Sequence, residues 1–101
     1  MSSSHLEDVD RLIHEPARLL LMSLLYVLDS ADFTFLMAQT GLSWGNLSSH
    51  MSKLEAAGYI AVEKEFVERR PRTMMRLTES GRAAFQQYRK AMKGVLDSLP
   101  D

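Results

Sequence analysis

Four arginines fall within the ten residues VERRPRTMMR, positions 67–76: Arg69, Arg70, Arg72 and Arg76. A guanidinium is permanently charged, and its planar fork of donors matches two oxygens of one phosphate, which the point charge of lysine does not. Arg69, Arg70 and Arg72 crowd around Pro71, whose ring stiffens the backbone between them. Chemistry suited to such a run is an electrostatic grip on phosphate, along a duplex backbone or in a narrow minor groove. Each phosphate neutralised on a duplex would steepen log K against log salt by ~0.9. The alternative is a solvated loop whose charges serve solubility.

A second constellation lies in GLSWGNLSSHMSKLEAAGYI. Leu47, Met51 and Leu54 recur at four and three residues, the stripe of an amphipathic helix. At about 100° per residue that stripe turns Gly45, Ser49, Ser52, Lys53 and Ala56 outward, with Ser48 at the edge. Ser43 is placed to cap this helix, and Trp44 and Asn46 fall in its first turn. An outer face of small and hydroxyl-bearing side chains can approach the floor of a major groove and donate to phosphates or base edges. The alternative is an ordinary amphipathic helix whose outer face happens to lack long charged residues. The candidate DNA-binding residues are therefore Ser43, Trp44, Gly45, Asn46, Ser48, Ser49, Ser52, Lys53, Arg69, Arg70, Arg72 and Arg76. Among them Trp44 is expected to pack rather than intercalate, and Arg76 to sit lower on a strand as a weaker contact.

Other chemistries find no residues. There is no cysteine, which excludes disulfides, thiolate catalysis and cysteine-ligated zinc. His5, His14 and His50 share no ligand spacing, so no metal is expected. His50 could bond within the fold or touch DNA, the former being preferred. No phosphate-cradling GxxxxGK, nucleophile elbow, HExxH or paired carboxylates occur, so neither an enzyme nor a cofactor is expected.

The elements that must position these residues follow from periodicity and punctuation. A chain of 101 residues, 46% hydrophobic and 25% charged, has room for a single domain. A polar start turns apolar at Pro16, a suitable first helical residue, after a short helical segment from Leu6 to Ile13; residues 1–5 are expected to fray. From Ala17 to Leu28 a helix is apolar on nearly every face and so needs cover on more than one side. A brief extended piece at residues 33–35 leads into a short helix to Thr40, ended by Gly41. After the Trp44–Ala57 helix, closed by Gly58, strands are expected over Tyr59–Phe66 and Arg72–Thr78, with Glu68–Arg72 as the hairpin tip. Thr78 then caps a long helix from Glu79 to about Ser98. That order is a winged helix-turn-helix: mainly helical, with a small β-hairpin wing.

Charge divides the same way. The net charge is −1. Residues 1–32 hold six acids and two bases, whereas Lys53 to Lys93 holds ten bases and five acids. The acidic half is expected to face away from the arginines. The run LLLMSLLYVL is about half the ~20 residues of a membrane span, and the acidic N-terminus is no signal peptide, so a cytoplasmic protein is expected.

GLSWGNLSSHMSKLEAAGYIAVEK, an arginine-bearing loop and RLTESGR together resemble the winged-helix DNA-binding regulators of the MarR and ArsR groups, over roughly residues 15–95. The resemblance implies that NLSSHMSKLEAAGYI holds the recognition helix and that LTESGR opens the helix after the wing. It further implies a transcription regulator, commonly a homodimer on palindromic double-stranded DNA. MarR proteins carry further helical material around a ligand pocket, and many ArsR proteins carry cysteine metal sites. Here one long C-terminal helix and no cysteine are present, so a small-molecule effector is not indicated.

The last helix suggests a self-contact of its own. Phe85, Tyr88, Met92, Val95 and Leu99 step by three and four residues, an a/d seam of about two heptads. With Leu96, and with Leu12, Leu20 and Leu24 from the first part of the chain, they form the candidate dimer interface. The alternative is that this stripe packs on the chain's own first helix. A two-fold dimer would set two recognition helices ~34 Å apart, one turn of DNA. The rival to DNA binding is a winged-helix module docking an acidic protein partner.

Overall fold

The computed structural model describes residues 9–100. Its elements are α1 (Pro16–Leu28), β1 (Ser30–Asp32), α2 (Phe33–Thr40), α3 (Trp44–Ala56), β2 (Ile60–Val67), β3 (Arg70–Leu77) and α4 (Glu79–Asp97). The three strands form one antiparallel sheet in the order β1-β3-β2. Four helices and this sheet make the expected winged helix.

Local chemistry sets most boundaries. Pro16 opens α1, where its missing N–H is no loss, and the Glu15 carboxylate accepts from the Arg18 amide at 2.8 Å. That bond to the Arg18 amide, helped by the Arg18 charge against an opposing cost of burial, holds the Glu15 carboxyl below its usual range. Gly41 and Gly58 end α2 and the α3 turn with φ of 72° and 80°, left-handed values that favour glycine.

Three expectations need correction. Residues 9–15 do not end a helix begun at Leu6. The Asp10 carboxylate accepts from the amides of Leu12 (2.9 Å) and Ile13 (3.2 Å), and this local bonding draws the backbone into turns. The earlier part of that segment and residues 1–5 lie outside the described residues. The extended piece is Ser30–Asp32 rather than residues 33–35, and α2 starts two residues early, because Asp32 caps it by accepting from the Phe35 amide at 2.7 Å.

The hairpin tip is also shorter than Glu68–Arg72. Only Glu68 and Arg69 turn, with φ of 53° and 68°, the two left-handed residues of a tight hairpin. Arg70, Pro71 and Arg72 already belong to β3. Pro71 is tolerated there because Val67↔Arg70 closes the hairpin as a bonded pair. The next pair, Phe66↔Pro71, then needs no amide from proline toward β2. On its other edge β1 pairs no further than Met74, so no partner strand lacks a donor.

Leu21, Met22 and Leu25 of α1, Leu36 of α2, Leu47 and Leu54 of α3, and Met75 of β3 are fully buried and form one core, which α4 joins through Phe85 and Tyr88. The apolar run of α1 is therefore divided: Leu20, Val27 and Leu28 remain exposed on its outer side. No helix among the described residues is long and apolar enough to cross a membrane.

Candidate nucleic-acid interface

Helix α3 is fixed from behind and free in front. Leu47 and Leu54 anchor it in the core, with Met51 packed against them. His50, on its flank, accepts at Nδ1 from the Arg18 guanidinium (3.0 Å), whose Nε donates to the Leu12 carbonyl at 2.6 Å. His50 thus bonds within the fold and ties α3 to α1. Ser43 caps the helix by accepting from the Asn46 amide at 3.1 Å. Ser43, Trp44, Gly45, Asn46, Ser49, Ser52 and Lys53 are all exposed, and Ser48 is half-buried at the edge. The Trp44 ring leans on Phe33 with centroids 5.8 Å apart, yet 65% of the residue stays accessible. A Cβ added at Gly45 would meet nothing within 4 Å, so the chain's own packing does not require glycine there.

The wing stands beside this face. Between them runs an open crevice of about 330 Å³ lined by Trp44, Ser48 and Met51 on one side and Lys64, Pro71, Arg72 and Thr73 on the other. Opposed residues of paired strands share a face. Lys64, Phe66, Pro71 and Thr73 therefore continue the core-facing side that begins with Ile60, Val62, Met75 and Leu77. Arg70, Arg72 and Arg76 lie on the other side, and Arg69 is in the turn itself.

The four arginines are not equivalent. Arg72 Nε lies 3.5 Å from Asp32, and Arg76 donates to Glu63 at 2.7 Å. Arg69 and Arg70 make no ion pair among the described residues. The expected separation of charges is only partial: Asp32 reaches the base of the wing, and Asp29 pairs with Arg82 on α4. Other carboxylates of the acidic half serve as tethers, Glu15 as a cap and Asp10 as acceptor for the Tyr59 hydroxyl. That hydrogen bond, with burial and the Asp10 charge, pushes the Tyr59 pKa up to about 12.

Lys64 and Phe66 were missed at the sequence level. Their signal was present, since counting by two from Ile60 and Val62 places both on the side of the crevice. No group of three or more metal-ligating residues occurs among the described residues.

The candidate dimer residues divide between two environments. Phe85 and Tyr88 are in the core of their own chain, where the Tyr88 hydroxyl lies 2.8 Å from His14 Nδ1 and burial raises its pKa. Leu12, Leu24 and Met92 are partly buried against that core, and Val95 is half-buried. Leu20, Leu96 and Leu99 are exposed. A concavity of about 850 Å³ lies between α1 and α4, with Leu19, Tyr26, Met92 and Leu96 among its apolar walls.

Comparison with known proteins places this geometry. Residues 17–96 match the family described as winged helix DNA-binding domain. Over 78 residues the chain is 32% identical to an uncharacterized protein of Methanocaldococcus jannaschii, covering 77% of this chain and 85% of that one. The transcriptional regulator homologue protein from Pyrococcus horikoshii OT3 superposes with a TM-score of 0.90 at 28% identity, over 97% of this chain and 99% of that one. NadR in complex with 4-hydroxyphenylacetate aligns at 19% identity with a TM-score of 0.72, over 95% of this chain and 67% of that one. At that identity it speaks for the fold alone. The matched family is described by DNA binding and the Pyrococcus horikoshii structure as a transcriptional regulator homologue, not as an enzyme.

Proposed function

Because the chain belongs to the winged helix DNA-binding domain family, we propose that it binds double-stranded DNA as a homodimeric transcription regulator, with α3 in the major groove and the arginine wing on the backbone or in the minor groove. The carrying observation is the shared exposure of two unlike surfaces across one crevice. The small polar face of α3 and the cationic hairpin stand side by side, as a surface following a groove and its flanking phosphates would need. Ser43, Asn46, Ser49, Ser52 and Lys53 are the polar contacts of the helix. Arg69 and Arg70 are the wing's arginines without an ion pair among the described residues. Arg72 and Arg76 must exchange Asp32 and Glu63 for phosphate, so they contribute less.

Selection of bound duplexes from a random pool tests this reading. A palindromic enriched site supports it, together with a two-fold dimer and half-sites one turn apart. Because the dimer carries two copies of each wing, Arg70→Ala removes two phosphate contacts and should lower the magnitude of the salt slope by ~1.8, leaving the thermal midpoint unchanged. If duplex affinity does not respond to salt or to this substitution, the wing docks an acidic protein instead.

For the dimer, α1 offers Leu20, Val27 and Leu28, α4 offers Leu96, and Leu99 follows just beyond its end, all exposed. The radius of gyration, 15.2 Å, exceeds the ~13 Å of a compact chain of this length, and the long axis is 56 Å. These residues stand outside the core, where a second copy can cover them. Sedimentation should show a dimer, and Leu20→Glu with Leu96→Glu should shift it to monomer.

A further inference from the structure

The more exposed of the wing's two exposed large apolar residues stands apart from the core. Phe66 is 76% accessible and lies outside both the hydrophobic core and the residues packed against it. It sits two positions from the turn, directly across from Pro71. Beyond the last β1 pair, at Met74, the hairpin continues as a bare ribbon of four residues per strand, projecting about 13 Å. An aromatic ring at the end of such a ribbon is costly in water. Its bland use is cross-strand packing on Pro71, yet three-quarters exposure shows that the proline covers little of it.

Its neighbours say what would cover it. Arg69 in the turn and Arg70 in the adjoining pair lie just beyond the Phe66–Pro71 pair, and Lys64 lies next along the same face as Phe66; over residues 64–72 these cations and Arg72 outnumber the carboxylates Glu65 and Glu68. Cations around an exposed apolar tip disfavour burial against another cationic or purely apolar protein surface. They suit a surface with phosphates at its rim and flat apolar rings at its floor. A minor groove about 6 Å wide offers that arrangement, and phenylalanine and proline are among the side chains able to part stacked base pairs there. The face bearing Phe66 also leads back into the crevice beside α3, so the tip continues the surface proposed to meet DNA.

The geometry points to Phe66, backed by Pro71, as an apolar wedge that enters the minor groove at a flexible base step, unstacks it and bends the duplex, while Arg69 and Arg70 just beyond it hold phosphates. This inference rests on the DNA-binding reading above. Pyrimidine–purine steps such as TA yield most easily to a wedge, so the device would favour sites carrying them without any hydrogen bond to a base.

The test uses the full-length protein and a duplex of alternating TA steps, labelled at both ends for energy transfer and carrying 2-aminopurine at an internal adenine. Wild-type protein at saturation should shorten the end-to-end distance, corresponding to a bend within about 20–90°, and raise the 2-aminopurine emission. Phe66→Thr keeps a strand-favouring side chain but removes the wedge, and should abolish both signals while leaving the salt slope unchanged. Phe66→Leu, still apolar, should retain them. Thermal midpoints of both variants should match that of the wild type, which separates the wedge from a folding role. If Phe66→Thr bends and unstacks the duplex as the wild type does, the inference is overturned; so is it if wild-type protein binds this duplex and leaves it straight. Failure of the wild type to bind any duplex would instead remove the DNA-binding reading itself.

Discussion

Helices α3 and α4 begin alike and end up serving different purposes. Each is capped by a hydroxyl that accepts from the third amide of the helix: Ser43 from Asn46 at 3.1 Å, Thr78 from Gly81 at 2.9 Å. Each has a glycine in its first turn, Gly45 in the second position and Gly81 in the third. A Cβ at Gly81 would sit 2.0 Å from the Tyr59 carbonyl oxygen and 2.9 Å from the Leu77 side chain. A Cβ at Gly45 would meet nothing. One glycine lets α4 lie against the strand that leads out of α3. The other answers to nothing inside the molecule, and on the DNA-binding reading it keeps the helix thin where a groove must accept it. Similar local sequence thus conceals an internal constraint in one helix and a surface feature in the other.

Gly81→Ala should therefore be the most damaging change. Relief would have to come from moving a backbone carbonyl that itself accepts from the Thr78 amide at 3.1 Å. A loss of about 3 kcal/mol is expected, the upper part of the range for overpacked sites, visible as a lower denaturant midpoint at unchanged m. A variant as stable as the wild type would dissolve the contrast with Gly45.

The two caps come next. Thr78 also donates to the Gly58 carbonyl at 2.6 Å, linking two helix ends, whereas Ser43 caps its own helix in the open. Thr78→Ala should cost about 2 kcal/mol and Ser43→Ala about 1 kcal/mol, measured by chemical denaturation. Only the second should also weaken duplex binding. Equal costs would mean that the second bond of Thr78 adds nothing.

Gly45→Ala should separate stability from function. Alanine loses less chain entropy on folding and meets no obstacle, so stability should rise by up to ~1 kcal/mol. Affinity for a selected duplex should fall because the added methyl stands on the exposed face. If both rise, Gly45 does not face DNA.

Much of this contrast was legible in the chain itself, because it is local. Ser43 and Thr78 as caps, Gly41 and Gly58 as stops and Pro16 as an opener each act within one turn of their own position. The alternation of Val62, Met75 and Leu77 likewise gave the wing its inner face. What escaped was set by distant partners. Gly81 meets Tyr59 only after the wing has folded back. Three residues, Ser30–Asp32, make a strand only because β3 is there to pair with them. Asp29 and Asp32 look like part of an acidic half, but the fold brings them to Arg82 and Arg72. The turn at Glu68–Arg69 was hidden for another reason: neither residue favours the left-handed region, so the tip carries strain no local preference announces.

The smallest effect tests how the α4 side of the comparison is braced. Tyr59 supplies the carbonyl that excludes a side chain at position 81, and its hydroxyl donates to Asp10, fastening the N-terminal turn to the same place. That bond, burial and the Asp10 charge all favour the neutral phenol, raising its pKa from 10.0 to about 12. The sign follows from linkage. Below pH 10 the phenol is neutral in folded and unfolded chains alike, and its full contribution is present. Between about pH 10 and 12 the unfolded chain releases the proton while the folded chain retains it, so stability falls as pH rises through that window. Denaturation series across this range should show the decline in the wild type and a shallower one in Tyr59→Phe, which has no phenol to titrate. An identical slope in both would mean that Asp10 does not hold the hydroxyl in solution, leaving Gly81 braced by the Tyr59 carbonyl alone.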